Sequence, residues 1–515
     1  MSSQETESVA DEISDAGQSK SVWLGDTALL IYIALATVVV HWITGNQYGF
    51  QRDELATLED SRHLDWGFVA YPPMTPFFGR LSLILFGTSL AGFRFFAAVA
   101  EAIAVVLTGL MAREMGGGGG AQLIAAAAAI PFCIAGGAMM QYVSFDYLFW
   151  VLSAYFVVKL LKSEDPRWWL AIGASVGFGF ESKYTMGFFA LGIALATLLT
   201  GARRYFKSKW LWYGVGLSIL IFLPNLIWQA RNHFVSLDFL QHIHARDVGI
   251  GRAKNFLPEQ LLLTMGGIVL ALAGLWFTLF SRDGKRFRML GWMYLIPLTL
   301  FVIAKGRAYY LAAAYPMLYA AGSVWLQATL SQWKSAARNA VCVLAWMVLV
   351  ADAVLVGSFT LPIAAANSTW AARAMKVNED FREEIGWPEL VETIAKVRDA
   401  LPPEDRAQAG ILAGNYGEAG AVNLCGPRYG LPPVISGVNS FWKNGYGDPP
   451  PQTVIVVGRD LDEIEDLFVS CTLAAHTWNR FGVLNEETRA HPNIFVCRTL
   501  RKPWPEYWKT ARHFG

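Results

Sequence analysis

The stretch QYGFQRDELATLEDSRHLDWGFVAYPPMTPF (47–77) crowds Arg52, Asp53, Glu54, Glu59, Asp60 and Asp65 between two strongly apolar runs. Paired carboxylates beside hydrocarbon have three common uses: holding a metal, acting as a general base, or capping a helix. Capping is the structural alternative, because Asp53 precedes the helical pattern ELATLEDSRHL. The chemical alternatives need companions, and the chain supplies them. Asp146, in QYVSFDYLFW, opens an apolar run where an acid is costly unless it faces water or a partner. Lys183, in FESKYT with Glu181 nearby, stands at a similar junction. KGRAYYLAAAYP adds Lys305, Arg307, Tyr309, Tyr310 and Tyr315. Taken one at a time, these clusters read as Lys and Tyr anchored at a membrane interface. Together they describe a site for a lipid phosphate, with cations and tyrosines to hold the phosphate and a carboxylate to take a proton from an incoming hydroxyl.

Such a site needs a membrane scaffold, and the composition provides one. The chain has 515 residues, 54% hydrophobic and 16% charged, where a soluble globular chain carries about 25% charged residues. The net charge of +1 offers no basic field, so nucleic acid is not expected as a partner. A span takes about 20 apolar residues. Eleven candidates centre near 23–45, 88–112, 121–140, 145–162, 168–182, 185–201, 210–229, 259–280, 289–304, 309–328 and 338–361. Short basic loops such as KLLKSEDPR, GARRYFKSK and SRDGKRFR are expected on the cytoplasmic side. The other loops are longer and richer in aromatic and acidic residues; they include the opening stretch, 46–80, and they put all four clusters on the outer face. An odd number of spans then places residues 362–515 outside.

The polar, acidic residues 1–21 lack the basic start of a signal peptide and read as a disordered cytoplasmic tail, with the first span as an uncleaved anchor. The glycine run 116–120 lacks the GK[ST] ending of a phosphate-binding loop. From 362 onward the chain turns polar. The short β-type runs AGILAGNY, PPVISG, TVIVVG and NIFVCRTL alternate with the helical patterns WPELVETIAKVRDAL and DLDEIEDLFV, predicting a small α/β domain. Its Trp- and Arg-rich end, RKPWPEYWKTARHFG, suits packing against a membrane surface. Cys133 and Cys342 are expected to be packing residues. Cys471 with Cys497 is the expected pair if this domain meets an oxidising compartment, and three free thiols in the tail is the alternative.

The first loop with RDE, the YPPMTPFFGRL entry, the FD at a span start, the SKYT junction and the YYLAAAYP stretch resemble, over about 22–330, the GT-C superfamily of membrane glycosyltransferases. More closely, they resemble its protein O-mannosyltransferase and aminoarabinose-transferase branch, glycosyltransferase family 39. The resemblance implies a polytopic α-helical enzyme of the bacterial inner membrane, with a cytoplasmic N-terminus and a periplasmic C-terminal domain. It would move a sugar from a polyprenyl-phosphate donor to a lipid, glycan or protein acceptor. By the same resemblance Asp53 is the general base, Glu54 completes the family's DE pair, Asp146 is the second acid, and Lys183 and Tyr309 contact the carrier phosphate. The aminoarabinose branch has a lysine where this chain has Tyr71, so Lys305, Arg307 and Arg52 are the candidates to meet the remaining phosphate charge. One base and one leaving group imply inversion at the anomeric carbon; a retaining route would need Glu54 or Asp146 as a nucleophile. No cofactor is required, and a divalent cation stays open because Asp53, Glu54 and Asp146 are hard oxygen ligands. His242 and His244, two apart, would point to opposite faces of a helix; their stretch reads as an exposed loop, a lid over the substrate, and not as a metal site. The rival reading is a transporter or flippase, which should show charges in mid-span and an internal repeat.

Overall fold

The computed structural model describes residues 25–515, so the 1–21 tail lies outside the described residues. Every predicted apolar run holds a helix. Eight helices among the described residues are long and apolar enough to cross a membrane. The other three expected spans are shorter: Trp168–Phe180 with 13 residues, Met186–Leu199 with 14 and Tyr315–Leu330 with 16. Each is cut short for a visible reason. Met186–Leu199 bends by 102° into the 3-10 turn Gly201–Lys207. Trp168–Phe180 stops at the turn carrying Lys183, and Tyr315–Leu330 is preceded by the 3-10 segment Ala308–Ala314, which carries Tyr309 and Tyr310. Irregular backbone at membrane depth is tolerated where it is buried in protein or lines a cavity, and two of these three breaks carry candidate site residues.

Small residues let the helices close up. A Cβ on Gly173 would lie 2.0 Å from the Gly214 carbonyl, and one on Gly214 would lie 2.2 Å from that of Trp169. Trp168–Phe180 and Lys209–Arg231 therefore cross in backbone contact, as small residues allow between membrane helices.

The opening loop is largely a helix, Arg52–Arg62. Gln51 caps it, accepting from the Asp53 amide at 2.6 Å, while the Glu54 carboxylate accepts from the Gln51 amide at 3.0 Å. This capping box leaves the Asp53 side chain free of the capping role that its position suggests.

The C-terminal region holds four strands: β1 (Ala409–Ala413), β2 (Thr453–Val457), β3 (Phe468–His476) and β4 (Asn493–Leu500). Their order is β1-β2-β4-β3, with β1 and β2 parallel and the other pairs antiparallel. Three predicted strands lie at AGILAGNY, TVIVVG and NIFVCRTL. PPVISG contributes only a bridge at Ile435. The helix expected over DLDEIEDLFV stops at Glu465, and the chain enters β3 instead. That edge strand exposes most of its residues, so it carries no alternating apolar signal. Cys471 lies opposite Cys497 on β4, and the two sulfurs are bonded.

This region is seated on the opening loop. Leu55 packs in the same apolar core as Trp387, Ile411 and Val422. A Cβ on Gly420 would come within 2.7 Å of the Leu55 Cβ, so the helix Tyr416–Cys425 can lie this close to Arg52–Arg62 only with glycine there. Trp387 Nε1 donates to the Phe50 carbonyl at 2.9 Å. Arg52 is bound by Glu486, by Glu487 at 2.8 Å and by Glu383 at 3.5 Å.

Candidate active site

A cavity of about 620 Å³ lies between the opening-loop helix, the Lys183 turn, the 305–310 segment, the helix Val235–Gly249 and the C-terminal region. Its first wall is one stripe of Arg52–Arg62. Asp53, Ala56, Thr57 and Asp60 all line the cavity, and the spacing i, i+3, i+4, i+7 is that of a single helix face. Asp53 Oδ1 accepts from the Tyr416 hydroxyl at 2.9 Å, and Oδ2 accepts from Gln141 Nε2 at 3.1 Å. Burial pushes the Asp53 carboxyl above the usual carboxylate range; the Tyr416 bond and the charges of Arg52 and Arg307 oppose the rise. Farther along the stripe, Asp60 Oδ2 accepts from the Tyr71 hydroxyl at 2.7 Å. Burial lifts Asp60 to about 7, against the hydrogen bonds of Tyr71 and Ser440.

The second wall is cationic and aromatic. The Lys183 ammonium sits 4.0 Å from the centre of the Tyr310 ring, 4.8 Å from that of Tyr309 and 4.9 Å from that of Tyr142. The π faces within about 6 Å stabilise the cation, the charge of the nearby Asp146 adds to this, and the ammonium N–H groups stay available to an anion. Lys305 and Arg307 line the same cavity. Arg307 Nε donates to Asp247 Oδ2 at 2.5 Å, which holds the guanidinium in place.

The other expected residues are placed elsewhere. Glu54 is fully buried outside the cavity lining. It takes Arg94 at 2.6 and 2.9 Å and the Met140 amide at 2.8 Å, so it braces the loop against the helix Leu90–Glu114. Arg52 is also outside the lining, held by its three carboxylates. Asp146 stands behind the wall, accepting from Trp150 Nε1 and Thr185 Oγ1, both at 3.0 Å. Asp53, Glu54 and Asp146 thus answer to different partners and do not converge as a ligand set. Tyr309 flanks the lining, while Tyr310, Tyr142 and Tyr71 are in it.

The HIH stretch is not a loop but part of the helix Val235–Gly249. As a helix requires, its two histidines diverge: His244 lines the cavity, and the His242 ring lies 5.8 Å from that of Phe514. Tyr310, expected from the KGRAYY stretch, is in the lining; sequence reasoning missed Tyr142, Tyr416 and Asp247 as parts of this site and gave Asp60 no separate role. Asp60 had a usable signal, its seven-residue spacing from Asp53. Tyr416 had none, since it reaches Asp53 from 363 positions away.

Comparison with known proteins supplies a frame for this geometry. The family model described as dolichyl-phosphate-mannose-protein mannosyltransferase matches residues 70–228. The chain is 26% identical over 309 residues to the lipid A galacturonosyltransferase RgtD of Rhizobium johnstonii, covering 56% of this chain and 63% of that protein. It is 26% identical over 265 residues to an undecaprenyl phosphate-alpha-4-amino-4-deoxy-L-arabinose arabinosyl transferase of Pseudomonas fluorescens, covering 46% of each. The matches therefore span roughly half to under two thirds of these relatives. The crystal structure of ArnT from Cupriavidus metallidurans bound to undecaprenyl phosphate shares the fold, with a TM-score of 0.56 and 16% identity over 93% of this chain and 98% of that one. The apo form of that protein gives 0.55. The family model and the relatives are likenesses to membrane-lipid-dependent glycosyltransferases, and the solved structures show that the chain shares the ArnT fold.

Proposed function

We propose that the chain is a membrane glycosyltransferase that moves a sugar from a polyprenyl-phosphate carrier to an acceptor hydroxyl or amine at the outer face of the bacterial inner membrane. The observation that carries this reading is that Asp53 and Lys183 line one cavity. The relatives, named as a galacturonosyltransferase and an arabinosyl transferase, support a transferase over a transporter.

In the proposed reaction Asp53 accepts the proton of the acceptor group as that group's oxygen or nitrogen bonds to the anomeric carbon. The bond from that carbon to the phosphate oxygen breaks, and the electron pair leaves with the lipid phosphate. Lys183, backed by Tyr142 and Tyr310 and joined by Lys305 and Arg307, stabilises the charge that grows there. A single displacement inverts the anomeric centre. Asp146 serves by orienting Thr185 and the Lys183 turn. The basic short loops support a cytoplasmic N-terminus, which would leave this cavity and residues 362–515 on the outer side.

The test uses the full chain in lipid nanodiscs with a panel of radiolabelled polyprenyl-phosphate sugars and a membrane extract as acceptor source. Release of free polyprenyl phosphate by wild type, lost in Asp53→Asn with donor binding retained, is the expected result. Turnover that survives in Asp53→Asn removes the base assignment; a panel in which no donor binds removes the transferase reading.

A further inference from the structure

The cavity has two electrical poles, and only one is accounted for by a phosphate. Lys183, Lys305 and Arg307 make the cationic pole. The anionic part of the lining is the Asp53–Asp60 stripe. Two carboxylates seven residues apart on one helix are separated by roughly 10 Å along the axis, two turns on a common face. Asp53 is engaged by Tyr416 and Gln141 and is assigned to the proton transfer. Asp60 lines the same cavity and has no part in that step.

Its surroundings fit recognition. The Tyr71 hydroxyl donates to Oδ2 and fixes the carboxyl. Tyr71 in turn lies 5.8 Å, ring to ring, from Tyr142, which backs Lys183. The Asp60–Tyr71 pair therefore borders the phosphate pole, where a sugar attached to that phosphate must lie. Other charges act on Asp60 from a distance. Glu59 is tied to Asn423 and Arg62, and Lys443 is tied to Asp65. Asp247, the other acid of the lining, is already shared by Arg307, Arg252 and Arg246.

Resting on the transferase reading above, we infer that Asp60 is a specificity-determining residue, held by Tyr71, that faces the transferred sugar and selects one bearing hydroxyl or amine donors and no negative charge. A carboxylate accepts hydrogen bonds from O–H and N–H groups but meets a uronate with like-charge repulsion. One of the relatives is named as a galacturonosyltransferase, so this inference separates the present chain from that protein in the charge of the sugar.

The experiment uses the full chain in nanodiscs with three donors on one polyprenyl phosphate: a neutral hexose, an amino-pentose and a hexuronate. The kcat/KM of each is measured at pH 9, above the value of about 7 to which burial lifts Asp60 so that its carboxylate form is present, for wild type, Asp60→Asn and Asp60→Glu. Wild type is expected to favour the neutral and amine-bearing donors over the uronate by at least about tenfold. Asp60→Asn should narrow that gap by about tenfold, and Asp60→Glu, which restores the charge, should keep it. The glutamate variant also guards against a fold defect in the asparagine one. A wild-type preference for the uronate overturns the inference and leaves the transferase reading standing. So does an unchanged donor ratio in Asp60→Asn, or a change confined to acceptor KM. If wild type turns over none of the three, the transferase reading falls and this inference falls with it.

Discussion

The hydrogen bond from Tyr416 to Asp53 ties the C-terminal region to the proposed base, and its removal has a calculable signature. Tyr416→Phe deletes one hydroxyl and keeps the ring that packs beside Arg52. A hydrogen bond to a charged group contributes about 1.5–3 kcal/mol, and each pKa unit corresponds to about 1.4 kcal/mol. Full loss of the bond would raise Asp53 by about 1–2 units; water entering the open cavity replaces part of it, so about 1 unit is expected. The sign follows from which form the bond favours. It stabilises the carboxylate, so without it the neutral acid gains, adding to the rise that burial already imposes. A base must be deprotonated, so the acid limb of the pH–rate profile should move upward by that amount. Activity at a pH below the wild-type midpoint should fall about tenfold per unit shifted, and the alkaline plateau should stay near wild type. The assay is release of polyprenyl phosphate in nanodiscs from pH 5 to 10. A loss of rate that is the same at every pH, or an unmoved profile, would refute the argument that Tyr416 acts through the charge of Asp53.

Three further outcomes follow from the contacts above. Lys183→Met keeps an apolar stem on the tyrosine rings but removes the ammonium, so donor affinity should weaken about 10- to 100-fold, as read by binding of labelled polyprenyl phosphate, with a lower melting temperature because buried Asp146 loses its nearby cation. Arg94→Leu leaves Glu54 buried without its cation at a cost of about 3–5 kcal/mol, and thermal unfolding in detergent should show this as lost stability and yield, whereas Glu54→Gln, which keeps the hydrogen-bonding shape, should cost less. Thiol labelling under denaturing, non-reducing conditions should modify Cys133, Cys342 and Cys425 only, with Cys471 and Cys497 appearing after reduction; replacing both by serine should cost about 3 kcal/mol for the chain segment they close.

The residues that were legible in the sequence share one property. Asp53, Lys183, Lys305 and Arg307 are charges at the ends of apolar runs, where a bilayer makes any unneeded charge expensive. The same constraint made the helices readable, because hydrocarbon thickness sets their length. It could not place the breaks after Phe180 and before Tyr315, since those depend on what the chain must expose to a cavity and not on its local greasiness. Nor could it divide the labour within Arg52-Asp53-Glu54. Consecutive helical residues point about 100° apart, so one of the three can face a cavity while its neighbours face other surfaces. Which one does so is decided by partners distant in the chain. Arg94 claims Glu54, Glu486 and Glu487 claim Arg52, and Tyr416 steadies Asp53. Two of these three decisions are made by residues beyond 400, from a region whose link to the first loop leaves no trace in local pattern. The acid proposed as the base is thus selected by the packing of the last part of the chain on the first, which is why a variant that tests that proposal through its charge lies at position 416.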